Sequence, residues 1–212
     1  MAHRLLPFRQ YDENDVVNLF SVDVSSISNF ISQVPATDGI NADGVLVKVK
    51  AGKHDGDVND YASENTDMFA SYGSPVGRNP YPTNPLKVEA TSAVSDTPLG
   101  FTLYQTLNVD ENGEKLLFNP VKKDELQAVL SGQTVPVLTK GIITLSTKAF
   151  AAGNSDIPAP GEALYVGAGG KVSKSSSNSA VKVGKVLTTG NREAQTNADP
   201  LEGRYAVCKI EL

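Results

Sequence analysis

Apolar and polar residues alternate with a period of two through most of the last third of the chain. The stretches TVPVLTKGIITLST, GEALYV, GKVS, AVKVGKVLTT and RYAVCKIEL occupy residues 134–212, divided by Pro, Gly and Ser. Short alternating runs bounded by turn residues predict antiparallel strands folded into a small barrel or sandwich. Ile143 and Leu145 fall on one face of their strand, Thr144 and Ser146 on the other. In the final strand Ala206, Cys208, Ile210 and Leu212 share one face, and Tyr205, Val207, Lys209 and Glu211 the other. AlaGlyGly at 168–170 predicts a hairpin turn, and SSSNS at 175–179 a polar loop.

The same alternation marks residues 44–50, GVLVKVK. Val45, Val47 and Val49 point one way, Leu46, Lys48 and Lys50 the other. FTLYQTL at 101–107 predicts a strand, the turn at 110–113 ends in glycine, and EKLLF at 114–118 predicts the return strand of a hairpin. A change of period follows. Asn119 and Pro120 are an N-cap and a preset first position. Residues 121–131 then bring Val121, Leu126, Val129 and Leu130 to one broad face before Gly132 stops the helix. It is the one helix that the pattern predicts, near 120–131. Residues 51–85 hold Pro75, Pro80, Pro82 and Pro85 among many Asn, Asp and Gly, and predict a long irregular excursion.

The front of the chain has much apolar surface without an obvious partner of its own. Arg4, Leu5, Leu6 and Phe8 cluster around Pro7, and Tyr11, Val16, Val17, Leu19 and Phe20 follow. Asn14 or Asp15 could cap a short turn, while the β-branched residues after them favour extended chain. This segment either packs on its own body or lies as an arm on a neighbouring subunit, since terminal segments are mobile unless docked. The organisation expected is therefore an arm over 1–41, a strand with the long loop over 42–99, and a β-module over 100–212.

Composition narrows the function. A 212-residue chain with 40% hydrophobic and 20% charged residues can build a core without disulfide or metal staples. Its net charge of −5 is the wrong sign for a phosphate-binding surface, and the lack of tryptophan argues against an aromatic stacking platform. No nucleic-acid partner is expected. Cys208 is the single cysteine, so no intrachain disulfide can form, and a buried, inert thiol is expected. No apolar run reaches the ~20 residues that span a bilayer, and the start has no apolar core of a signal peptide, which predicts synthesis in a cytoplasm and no membrane partner.

Candidate chemistry is sparse. His54, Asp55, Asp57 and Asp60 are the nearest approach to a cation site, but the run lacks the closing bidentate glutamate of a calcium loop, and one histidine is too few for zinc. A solvated turn is expected there, with no metal and no cofactor. The histidines are His3 and His54; neither adjoins a serine in a nucleophile elbow. GAGGKVS at 167–173 lacks the strand–loop–helix context of a phosphate loop. The pattern favours a protein that binds or braces over an enzyme; a small hydrolase is the competing class.

The order VPVLTKGIITLS, PGEALYVGAGGKVSK, VKVGKVLTT and VCKIEL resembles the small β-barrel modules of tailed-bacteriophage head decoration, or cement, proteins. The phrase DENGEKLLFNPVKKDELQAVLSGQTVPVLTKG is similar to stretches of virion structural proteins of large tailed phages. The likeness covers residues 100–212, about half the chain, and carries no catalytic signature. It implies a mainly β protein, a barrel or sandwich of β-tulip type with one short helix, bound to the outside of the capsid. The partners it implies are the major capsid protein and neighbouring copies of itself, in a homotrimer or, failing that, a dimer. The arm residues Arg4, Leu5, Leu6, Phe8, Tyr11, Val16, Val17, Leu19 and Phe20 would then form the interface. Another virion component, such as a head-fibre base, a tail part or a host-attachment module, is the alternative.

Overall fold

A computed structural model describes residues 3–22, 42–50, 86–107, 109–110, 112–130, 133–174, 180–194 and 201–212. The predicted loop over 51–85, the His54 cluster, the polar loop at 175–179 and Gly132 lie outside the described residues. The strands are β1 (Leu5–Gln10), β2 (Val16–Val17), β3 (Phe20–Val22), β4 (Leu46–Lys50), β5 (Leu86–Ala90), β6 (Gly100–Thr102) and β7 (Gln105–Thr106). Among the described residues one α-helix, α1 (Pro120–Glu125), precedes β8 (Ala128–Val129), β9 (Val137–Leu138), β10 (Lys140–Ser146), β11 (Ala163–Val166), β12 (Val172–Ser173), β13 (Lys182–Arg192) and β14 (Gly203–Glu211). The fold is mainly β, as the alternation predicts.

Two open six-stranded sheets carry the architecture, ordered β1-β10-β14-β13-β11-β12 and β2-β9-β6-β4-β5-β3. The first is antiparallel throughout; the second is antiparallel except where β3 runs parallel to β5. The barrel alternative therefore gives way to a sandwich, because neither sheet closes on itself. Leu5, Ile143, Leu145, Leu164, Val183, Ala206, Cys208 and Ile210 of the first sheet meet Leu46, Phe101 and Leu138 of the second in one core. The alternate residues of the second sheet go elsewhere: Val45, Val47, Val88 and Val137 join Phe20, Val129 and Val135 in a second core on its far side. Burial on both faces explains why GVLVKVK carries Leu46 between two valines.

Chain order does not follow the sheets, so the division at residue 100 is not where the fold divides. The second sheet takes strands from both sides of that point, and the first takes β1 from the front of the chain. The front segment is accordingly no projecting arm in its described part. Leu5 pairs with Leu145 and Leu6 with Thr144 on β10, β2 pairs with β9, and β3 with β5. Burial of Leu5, Leu6 and Phe20 inside their own chain is the physical reason; each apolar side chain buried contributes roughly 1.5–3 kcal/mol. Asp12, not Asn14 or Asp15, caps the short 3₁₀ turn at Glu13–Asp15, accepting from the Asn14 N–H at 2.9 Å.

The helix is shorter than predicted. Asn119 caps it, with its Oδ1 accepting from the Lys122 N–H at 3.2 Å, but it stops at Glu125. Gln127 then takes the left-handed φ of 47°, and residues 128–129 become a strand beside β7. Pairing with β7 and burial of Val129 and Leu130 outweigh continuation of the helix, which would have placed them on a helical face. Val121 faces solvent instead. The predicted hairpin over 101–118 also changes. The chain breaks at Leu103–Tyr104 into β6 and β7, and Leu116–Phe118 is a 3₁₀ turn. Its turn survives, with the Gly113 N–H donating to the Asp110 carbonyl at 3.2 Å and one bridge between Val109 and Lys115.

Gly169 and Gly170 join β11 to β12 with successive positive φ of 71° and 65°. This turn ties the two sheets together. The Gly170 carbonyl accepts from the Leu46 N–H at 2.9 Å, and its N–H donates to the Thr91 carbonyl at 2.9 Å. The guanidinium of Arg4, fully buried, donates Nη1–H to the same carbonyl at 2.7 Å. A Cβ on Gly170 would collide with the Val45 side chain, whereas one on Gly169 would meet open space.

Two predictions follow from these contacts. Gly170→Ala should lower the unfolding free energy by about 2–3 kcal/mol through overpacking, against about 1 kcal/mol for Gly169→Ala, which strains only the backbone. Equal urea midpoints for the two variants would remove the joint from the account. Asp96 gives a pH signature. Burial opposes its ionisation, yet the N–H groups of Ala93 and Ser92 and the Lys48 ammonium hold its carboxyl down at about 2. The folded value lies below the usual 3.8, so its contribution is full above about pH 4 and is lost as the pH falls towards 2. The stability gap between wild type and Asp96→Asn should shrink across that window in acid titrations followed by circular dichroism; a gap independent of pH would refute the assignment.

Candidate functional site

The outward face of the first sheet departs from the polar surface that alternation leads one to expect. Register places Leu6, Thr144, Val207 and Thr188 in one row across β1, β10, β14 and β13, with Ser146, Tyr205 and Gly190 in the next. Both flanking strands are bulged. Between Leu6 and Arg9 on β1 the ladder slips, throwing out Pro7 and Phe8; between Val186 and Thr188 on β13 it slips again, throwing out Leu187. An extra residue in one strand bends it and re-aims its side chain. Phe8 is 61% exposed and Leu187 40%, so two apolar walls rise on either side of a floor made by β10 and β14.

The result is an open trough of about 800 Å³, with Ile142, Thr144 and Val207 in the floor and Asn191 and Arg192 at one end. Gly190 shapes it. A Cβ there would come within 2.5 Å of the Tyr205 ring, so the glycine lets Tyr205 lie across its neighbouring strand. Further along the floor, register continues into the row Gln10, Ile142, Lys209 and Lys185, then Lys140 opposite Glu211. Lys209 pairs with Glu211, and Lys185 and Lys140 also face it; together they hold its carboxyl below the usual carboxylate range.

The expected interface residues divide between core and surface. Arg4, Leu5, Leu6 and Phe20 are buried. Val16 packs against the first core and Val17 against the second. Phe8, Tyr11 and Leu19 stay exposed, and of these Phe8 alone lines the trough. A second apolar knuckle stands elsewhere: Leu117, Phe118 and Val121 are 55%, 77% and 69% exposed around the start of α1. Leu187, Tyr205 and Val207 were missed as site residues, although RYAVCKIEL puts a tyrosine and a valine on its non-core face. That was the available signal.

Titratable groups cluster modestly. Asp43, largely buried, accepts from Arg9 Nη2 at 3.2 Å, with His3 Nδ1 3.6 Å away. This cluster fastens the entry of β1 and borders a cavity of about 270 Å³. Among the described residues no three of His, Cys, Asp and Glu are grouped as metal ligands. The Cys208 thiol is buried, and that burial pushes it up to about 12, which keeps it protonated at neutral pH.

No family model, curated protein or solved structure matches the chain. The trough is thus assigned from its own geometry. Its walls should bear little of the fold's stability. Phe8→Ser and Leu187→Ser should each shift the unfolding free energy by no more than about 0.5 kcal/mol, as surface substitutions do, while Leu6→Ser should cost about 2 kcal/mol or more. Urea denaturation checks this, and a large loss at Phe8 or Leu187 would make the trough a structural seam.

Proposed function

We propose that this chain is a virion structural protein that binds the outer surface of a tailed-phage capsid and stabilises contacts between major capsid subunits. The observation that carries the reading is the apolar trough on the exposed face of the β1-β10-β14-β13 sheet. An aromatic and a leucine raised on two bulges, with further apolar residues beneath, is a surface suited to another polypeptide. The capsid as that polypeptide comes from the resemblance of residues 100–212 to decoration modules. The trough replaces the arm in the docking scheme, because Arg4, Leu5 and Phe20 are buried within their own chain. Leu6 and Phe8 belong to both schemes.

Further copies of the chain, in a trimer near local three-fold positions or in a dimer, are the second set of partners in this proposal. The exposed knuckle of Leu117, Phe118 and Val121 is a surface separate from the trough and suits such a contact. The alternative, a component of one vertex or of the tail, differs in where the protein sits.

Purified protein should co-sediment with undecorated, expanded heads, raise their resistance to heat, and label the whole head surface evenly in electron micrographs. Phe8→Ser/Leu187→Ser protein should lose most of that binding while remaining folded. Labelling confined to one vertex would favour the alternative, and failure to bind any head would overturn the reading.

A further inference from the structure

A second hollow, of about 670 Å³, opens between the turn after β1 and the connection from α1 to β8, and shares no lining residue with the trough. Tyr11 and Tyr104 border it, 39% and 41% exposed. Backbone holds both in place. Tyr104 stands at the break between β6 and β7. On one side of it the Leu103 N–H donates to the Pro136 carbonyl at 3.0 Å; on the other the Gln105 N–H donates to the Gln127 carbonyl at 3.1 Å. Tyr11 rests on Gly141, where a Cβ would come within 2.7 Å of the Tyr11 Cβ. Tryptophan is absent from the chain, so stacking falls to tyrosine. Around the rings stand Glu13, Asn18, Asp124 and Gln127, exposed residues whose side chains make no hydrogen bond or ion pair with the described residues. Gln127 is the informative one. It follows the end of α1, where glycine is the usual residue to take a left-handed φ, and among the described residues it alone does so without being glycine. Its N–H and carbonyl serve the fold through Asp124 and Gln105, and a glycine would serve equally. Folding therefore does not account for the side chain.

We propose that this hollow binds a saccharide, with pyranose faces against Tyr11 and Tyr104 and hydroxyls held by Glu13, Asn18, Asp124 and Gln127. A pyranose presents a face of C–H groups, which the negative face of an aromatic ring attracts. Its neighbouring hydroxyls each donate and accept. Carboxylates accept from two donors at once and amides offer both a donor and an acceptor, so this set matches paired hydroxyls. A proline-rich peptide, another ligand of aromatic-lined grooves, brings carbonyl acceptors and few donors, and would leave both carboxylates unmatched. The volume lies within the range of about 300–1,000 Å³ that small-ligand sites occupy. This inference goes beyond the capsid reading and does not depend on it.

Arrays of neutral and acidic oligosaccharides probed with the full chain test the ligand class, and isothermal titration with the glycans bound there measures affinity. Some glycans should bind. Tyr104→Ala should weaken them about ten-fold, the size of one lost stacking contact. Gln127→Gly should weaken them about five-fold through lost hydrogen bonds, and should also raise the urea midpoint of unfolding, because glycine relieves the left-handed backbone. A higher midpoint together with weaker binding is a pair of effects that a purely structural side chain would not give. Phe8→Ser/Leu187→Ser should bind glycans as wild type does, which separates this hollow from the trough. Binding of no glycan, or capture of a polyproline peptide in place of glycans, overturns the proposal. So does unchanged glycan binding by the Tyr104 and Gln127 variants, a lowered midpoint for Gln127→Gly, or loss of glycan binding in the trough variant. Head sedimentation remains a separate readout, since either result there leaves the array result standing.

Discussion

The fold depends on the joint at Gly170, where three parts of the chain that are distant in sequence meet on one residue. Its carbonyl accepts from Arg4 and Leu46, and its N–H donates to Thr91. Leu46 and Thr91 belong to the second sheet's side of the sandwich, while Gly170 is the turn of the first. Arg4 is the lead-in to β1. A guanidinium is expensive to bury, and carbonyl oxygens that the strand ladders leave unused compensate it. Remove the side-chain space at Gly170 and the Val45 side chain has to move, disturbing the core behind it. The turn's two left-handed residues bring the backbone of Gly170 close to the second sheet.

This joint explains what was legible and what was not. Period-two alternation exposes core faces, so Ile143, Leu145, Ala206, Cys208 and Ile210 could be placed from the sequence, and each is fully buried. Turn chemistry was equally readable: the glycines at 169–170 and 113 and the Asn119 cap do what their residue types favour. The helix length was not. Leu126, Val129 and Leu130 fit helical spacing, but the pattern cannot reveal that β7 is waiting to pair with Ala128 and Val129. Nor can it tell which sheet a strand will enter. Leu5 and Leu6 read as unpartnered because their partners, Leu145 and Thr144, lie some 140 residues further on.

The candidate site was partly visible for the same reason. Alternation sorts residues into two faces, and it gave Tyr205 and Val207 to the outer one. What it could not supply is the row across four strands that gathers Leu6, Thr144, Val207 and Thr188, since register is a property of pairing rather than of any single strand. The bulges were still less accessible. Pro7 hints at an edge position, because proline cannot donate to a ladder, but nothing in VKVGKVLTT marks Leu187 as the residue that will be expelled.

The β1 bulge answers two demands at once. An edge strand with free N–H and C=O groups invites pairing with other chains, and a proline with a kink discourages it. The same kink lifts Phe8 into a wall of the trough. Strand addition along β1 is therefore disfavoured by the feature that creates an apolar face beside it, which directs association from edge to face. A face recognises side chains rather than backbone, and so can discriminate by charge in a way that an edge cannot.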